Sequence, residues 1–113
     1  MKLEPATQAK YSKAPISQGV LQKFPRALEA VAQCSAYGAE KHRKPIHSRE
    51  FMDVPDAMEV YSDAMARHVV AEAREGPVNH EDGGLLHKAQ TAWNALARLE
   101  CFLRNGSEDH DIK

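Results

Sequence analysis

The stretch YSDAMARHVVAE, residues 61–72, places apolar side chains three and four positions apart, which is the spacing of one face of an α-helix. Upstream, Asp53 offers a side-chain acceptor for free backbone N–H groups, and Asp56 adds negative charge where the helix dipole favours it. Gly76, followed by proline, is a stop signal. The pattern therefore predicts an amphipathic helix from about residue 54 to 75.

Two further segments show the same helical period. The first begins at Pro25 and runs to about His42, where a loop rich in proline and charge follows. The other begins near Leu85, with Asp82 as a possible N-cap, and ends just before Gly106. The sequence therefore predicts three main helices.

We expect these helices to form a single all-α domain, a helical bundle spanning residues 1–113. A chain of 113 residues can hold one small core but leaves little margin. Residues 1–22 lack a sustained period and predict an irregular arm, and residues 106–113 predict a polar tail. The Ala-rich helix faces suit close packing against another copy, so we expect oligomerisation to complete the bundle, as a dimer or tetramer.

The composition argues against several classes of protein. Fifteen Lys and Arg residues balance sixteen Asp and Glu residues, so no overall field draws the chain to nucleic acid. Cys34 and Cys101 lie far apart, without the C-x-x-C spacing of a zinc site. No segment has the apolar length of a signal peptide or a bilayer span. We therefore expect a cytoplasmic protein that binds neither nucleic acid nor membrane.

A polar ridge accompanies the apolar face of the second predicted helix. Glu59, Asp63 and Arg67 follow one another at four-residue steps, so their side chains lie on nearly the same side of the helix. One interpretation is an ordinary exposed ion pair between Asp63 and Arg67, worth a few tenths of a kcal/mol. The other is a functional row that faces acids from a neighbouring helix.

The first predicted helix offers such acids at Glu29 and Glu40. If the first two helices form an antiparallel hairpin, Glu29 lies within roughly 3 to 5 Å of the level of Asp63 along the axis. Glu40 lies nearer to the level of Glu59, about 16 Å from Glu29, so Glu29 and Glu40 cannot hold the same ion. Carboxylates from two helices suit a hard cation such as Mg²⁺ or Mn²⁺. Whether Glu29 or Glu40 is the ligand stays open.

Several other polar residues have both a functional and a structural interpretation. Lys41, Lys44 and Arg67 would neutralise a polyphosphate bound to such an ion, or are solvated surface charges. His68 lies on or beside the apolar stripe, where a histidine is commonly a hydrogen-bonded boundary residue. Asn94 interrupts a hydrophobic run, so it either reads a base edge or faces solvent or a second helix.

The chain resembles a family of small phage and bacterial dATP/dGTP diphosphohydrolases, and looks related to the all-α nucleoside triphosphate pyrophosphatases of the MazG and HisE type. Three ordered blocks carry the resemblance: a Gly-Ala-x-Lys turn, an Asp-Ala-x-x-Arg-His block, and a Gly-x-x-His block with Asn seven residues after the His. They correspond to Gly38, Ala39 and Lys41; Asp63, Ala64, Arg67 and His68; and Gly84, His87 and Asn94.

The resemblance implies hydrolysis of a purine deoxynucleoside triphosphate, dGTP or dATP, to the monophosphate and pyrophosphate with Mg²⁺ or Mn²⁺. In a phage, dGMP made in this way would feed synthesis of a modified purine. For this chemistry the residues themselves predict Glu29, Glu59 and Asp63 as metal ligands, Lys41 and Arg67 as catalytic residues, and His68, His87, Trp93 and Asn94 as nucleotide-binding residues. The alternative is a non-catalytic helical module that binds a nucleotide or a protein.

Overall fold

A computed structural model describes residues 13–105, and these residues confirm the all-α class. The three main helices are α1 (Pro25–His42), α2 (Ala57–Glu75) and α3 (His87–Asn105). Part of the predicted arm forms a five-residue π-helix, Ser17–Leu21. The rest of the predicted arm before residue 13, and the predicted polar tail, lie outside the described residues.

Local sequence signals explain both ends of α1. Pro25 occupies the first turn, where its fixed φ suits a helix and its missing N–H costs nothing. At the other end Arg43 adopts a left-handed conformation with φ of 56°, and its N–H bonds the carbonyls of Ala39 and Glu40. The prediction for this helix is therefore confirmed to the residue at His42.

The predicted start of the second helix is wrong by three residues. Asp53 does not cap α2, because it belongs to a short 3₁₀ helix and accepts a hydrogen bond from Arg104 at 3.1 Å. The residue before α2 is Asp56, which has a φ of 55° and makes no side-chain cap bond. The carboxylate that the local sequence would assign to the helix cap therefore makes a tertiary contact with α3.

A compact turn joins α2 to α3. Two short antiparallel strands, β1 (Val78–Asn79) and β2 (Leu85–Leu86), enclose the 3₁₀ helix His80–Asp82. Since Leu85 and Leu86 pair as a strand, α3 begins at His87, two residues later than predicted. The turn places Asp82 against the side of α1 and the start of α3.

Helix α3 is the centre of the packing. Both α1 and α2 pack on it, with α2 making the larger interface, and α1 and α2 share no comparable interface with each other. The first two helices therefore do not form the antiparallel hairpin that would place Glu29 near the level of Asp63. Within residues 13–105 the buried apolar side chains are small or flexible: Met52, Ala57, Ala89, Ala97 and Cys101. In this part of the chain, no helix has the length and apolar character to cross a bilayer.

Candidate functional site

A groove of about 980 Å³ lies between α1, α3 and the loop that follows α1. This volume is within the range of roughly 300 to 1,000 Å³ that small-molecule sites occupy. Four of the nine residues assigned to catalysis, nucleotide binding or metal binding line it, although they come from three helices: Lys41, His68, Trp93 and Asn94. Lys44, the other candidate lysine for a polyphosphate, lines it from the loop. The groove is therefore the candidate site.

Asp82 stands at one wall of the groove and is held by a network of amides. Asn79 Nδ2 and Gln90 Nε2 donate to its Oδ2 at 3.2 and 3.0 Å. Asn79 also donates to Gln90 Oε1 at 3.0 Å and accepts from the backbone N–H of Glu81 at 3.1 Å. Because Asn79 and Gln90 are both buried, this network fixes the orientation of the carboxylate.

The second oxygen of Asp82 has weaker partners. Tyr37 Oη lies 3.5 Å from Oδ1 and Lys41 Nζ lies 3.6 Å from it, both longer than a typical hydrogen bond. Burial on its own would raise the pKa of Asp82, but the hydrogen bond from Gln90 and the charge of Lys41 outweigh it, so the pKa lies below its ordinary value. Asp82 is thus an ionised carboxylate with one oxygen lightly engaged.

His68 and His87 meet through their rings beside this wall. Their Nδ1 atoms are 3.1 Å apart, so the N–H of one ring donates a hydrogen bond to the nitrogen of the other. His87 is 2% exposed, and its buried Nε2 has no hydrogen-bond partner among residues 13–105. Burial lowers the pKa of His68; His87 and Arg67 lower it further, and Asp82 opposes them. The neutral form of His68 is therefore favoured.

Trp93 presents an aromatic surface to the groove, and its orientation is fixed by its neighbours. Its indole N–H donates to Ser35 Oγ at 2.8 Å, which joins α3 to α1. Its ring makes edge contacts with Phe51 and Tyr61, with centroids 5.5 and 5.8 Å away. Trp93 is thus anchored at its polar end and ordered along its apolar body.

Asn94 is buried, which excludes the interpretation that it faces solvent. Its Nδ2 donates to the backbone carbonyl of Gln90, one turn earlier in α3, at 2.7 Å. This bond engages only the amide donor, and the side-chain oxygen is left for another partner. Since Asn94 lines the groove, that partner can be a ligand.

The predicted acids lie away from the groove. Glu29, Asp63 and Arg67 are exposed and do not line it, and Glu59 lines a separate cavity of about 350 Å³ near the start of α2. Asp63 and Arg67 are not ion-paired with each other in the structure. Across residues 13–105, no three His, Cys, Asp or Glu side chains approach closely enough to hold one metal ion.

Residues 5–111 match the family model described as dATP/dGTP diphosphohydrolase, N-terminal. The chain belongs to this family. Comparison with curated proteins and with solved structures found no match. The likeness to the wider MazG and HisE type stays a prediction.

For this member of the dATP/dGTP diphosphohydrolase family, sequence reasoning missed the amide network. The sequence predicts Asp82 only as a helix cap, and it does not distinguish its partners Tyr37, Asn79 and Gln90 from other polar residues. The sequence signal was the density of polar groups in NHEDGG, residues 79–84, ahead of an apolar helix. It is a weak signal, because the same composition is typical of an ordinary turn.

Proposed function

We propose that this chain hydrolyses a purine deoxynucleoside triphosphate, dGTP or dATP, to the monophosphate and pyrophosphate. In this reaction a water oxygen bonds to the α-phosphorus, and the bond from that phosphorus to the oxygen bridging to the β-phosphorus breaks. The observation that supports the proposal best is the meeting of Lys41, His68, Trp93 and Asn94 in one groove. The family match supports the same substrate class.

Roles can be assigned to three residues of the groove and to Arg67, which lies outside it. Lys41 is half exposed and only loosely paired with Asp82, so its ammonium can reach phosphate oxygens. Arg67 is exposed, close enough to influence His68, and would add positive charge for the leaving pyrophosphate. Trp93 offers a surface for the base, and Asn94 a free side-chain oxygen for the base or sugar.

Mg²⁺ or Mn²⁺ is part of the proposal, and it would supply charge neutralisation at the phosphates. Glu29, Glu59 and Asp63 remain the proposed ligands. The described residues of one chain do not gather them into a three-acid cluster, so these acids do not form a complete site within it. Ligands from a second copy and the phosphates of the substrate are the sources that would complete the coordination.

A homo-oligomer, dimer or tetramer, is proposed for the same reason. Helix α1 buries none of its eighteen residues in the single chain. Helices in water gain most of their stability from packing an apolar face, so α1 needs a further surface to pack on. A second copy would cover that face and bring further acids near the groove.

Product analysis tests the proposal directly. Each of the four dNTPs would be incubated with the protein and Mg²⁺ or Mn²⁺, with a parallel EDTA sample, and the products separated by chromatography. We expect monophosphate and pyrophosphate from a purine dNTP and no turnover with EDTA. Intact triphosphate together with measurable binding would favour the non-catalytic nucleotide-binding module. If a phage encodes the protein, dGMP from this reaction would supply modified-purine synthesis.

Asp63→Asn tests the proposed ligand set, since it keeps the side-chain shape and removes the charge. We expect kcat to fall by about a hundredfold or more, while helicity and oligomer size persist. Glu75→Gln is the matched control, because Glu75 is another exposed acid of α2, paired with the adjacent Arg74. Full activity in Asp63→Asn would contradict the assignment of Asp63.

A further inference from the structure

The two carboxylate oxygens of Asp82 differ in how strongly they are hydrogen-bonded, so only one of them is available to a ligand. Oδ2 is saturated by the amides of Asn79 and Gln90, at 3.2 and 3.0 Å. Oδ1 meets Tyr37 and Lys41 only at 3.5 and 3.6 Å. A carboxylate oxygen in this state retains lone pairs that a better donor would use. The amides therefore present a fixed acceptor to the groove.

The free-energy cost of burying this amide network indicates that the network does more than stabilise the turn between α2 and α3. Asn79 and Gln90 are each 8% exposed, and burying two primary amides is unfavourable unless their hydrogen bonds are met. The amides of Asn79 and Gln90 form these hydrogen bonds with each other and with Asp82. Buried polar networks of this kind give rigid positions to the groups they hold.

Trp93 adds an aromatic surface to the groove, one helical turn from Gln90 on α3. Gln90, which holds Asp82, and Trp93, whose ring lines the groove, are three residues apart on α3 and so lie on neighbouring positions of one face. Since the Trp93 indole N–H is already bonded to Ser35, the remaining ring surface is apolar. A planar ring that contacts Trp93 would lie in the same groove that Asp82 lines.

We propose that Asp82 reads the base of the substrate and selects guanine over adenine, an inference that rests on the proposed action on purine deoxynucleoside triphosphates. Guanine presents two adjacent donors, N1–H and the 2-amino group, which suit the lone pairs that Asp82 Oδ1 retains. Adenine presents the N1 lone pair at the same place, which the negative charge repels. Cytosine has an acceptor at N3, and thymine has a single donor between two carbonyls, so neither matches.

The side chain of Lys41 accommodates this binding mode. Its ammonium lies near Asp82 Oδ1 without close contact, and its side chain is 55% exposed. A lysine has a flexible four-carbon stem, so the ammonium can leave Asp82 when the base edge arrives and move toward the phosphates. Exchange of this long contact for two hydrogen bonds favours the guanine complex.

The wild-type protein tests the inference with a series of bases. We would measure binding and kcat/KM for dGTP, dITP, dATP and 2-aminoadenine deoxynucleoside triphosphate. We expect dGTP to exceed dATP at least about a hundredfold, because a site that hydrogen-bonds its substrate rejects analogues that leave those groups unpaired. dITP, which lacks the 2-amino group, should be about tenfold weaker than dGTP. The 2-aminoadenine nucleotide, which keeps N1 as an acceptor, should be close to dATP.

Asp82→Asn should reduce the ratio of dGTP to dATP by at least about tenfold, with folding checked by circular dichroism. Glu81→Gln is the control, because it removes one charge from the exposed neighbouring residue and should leave the ratio unchanged. Equal use of dGTP and dATP by the wild type would overturn the inference and leave the proposed hydrolysis intact. Guanine-selective binding without hydrolysis would overturn the proposed function and leave the inference intact.

Discussion

The contact between His68 and His87 predicts how stability depends on pH. Burial lowers the pKa of His68, with further lowering from His87 and Arg67, so below its ordinary pKa the unfolded chain binds a proton that the folded chain resists. The contribution of neutral His68 to stability is therefore fully present above about pH 6.5, and it is lost as the pH falls toward the lower pKa that His68 has in the folded chain. We expect the urea midpoint to be lower at pH 5.5 than at pH 7.5.

Variants separate this effect from general acid destabilisation. His68→Gln should show a smaller loss between the two pH values, because the titrating ring is absent. His47→Gln, which removes an imidazole from the loop after α1, should keep the wild-type dependence. An identical pH dependence in His68→Gln and the wild type would show that the His68 ring does not carry the effect.

At the scale of single residues, the sequence singled out several side chains of the groove but not the carboxylate of Asp82. Lys41, His68 and Asn94 stood out because each interrupts or ends a helical pattern. Asp82 depends on Asn79 and Gln90, and only the folded turn brings these amides around it. The predicted acids could not be placed from their spacing alone. Their expected positions relative to one another assumed that α1 packs against α2, whereas both helices pack on α3.

At the scale of elements, the turn between α2 and α3 depends on Gly83. This residue has a φ of 64°, and a Cβ placed on it would lie 2.8 Å from Tyr37 Cε1. Gly83→Ala therefore combines backbone strain with a clash against α1, and we expect a loss of about 1 to 3 kcal/mol in the free energy of unfolding. Denaturant melts at fixed pH would measure it.

Gly38 supplies the matched control. It lies inside α1, and a Cβ added to it would meet no atom of another part of the chain within 4 Å, so Gly38→Ala causes no clash. Alanine has the higher helix propensity, and this variant should gain about 0.5 to 1 kcal/mol. Equal effects of the two substitutions would contradict the close approach of the turn to Tyr37.

The element boundaries show where local signals compete with tertiary contacts. Pro25 and the end at His42 were predictable because α1 begins and ends on local chemistry. The start of α2 was not, since Asp53 bonds Arg104 on α3 rather than capping the helix. Long-range pairing with a residue 51 positions away leaves no mark in a local pattern.

At the scale of the whole molecule, the apolar surface of α3 predicts self-association. Leu96, Leu99 and Leu103, which also line the groove, are 50, 52 and 53% exposed and lie at the i, i+3 and i+7 positions of one face. The buried apolar side chains of residues 13–105 are mostly smaller, so much of the hydrophobic area of this part of the chain is left uncovered. We expect light scattering after gel filtration to give a mass that is a multiple of 12.6 kDa.

Leu99→Glu tests whether this face forms the contact. A carboxylate at the centre of an apolar interface costs several kcal/mol unless it is paired, so the variant should shift to the monomer mass and its melting temperature should lose any dependence on protein concentration. His47→Glu introduces the same group in the loop after α1 and should keep the wild-type mass. A wild type that stays monomeric at about 100 µM, far above the dissociation constant of an obligate oligomer, would show that a single chain tolerates this exposed face in water.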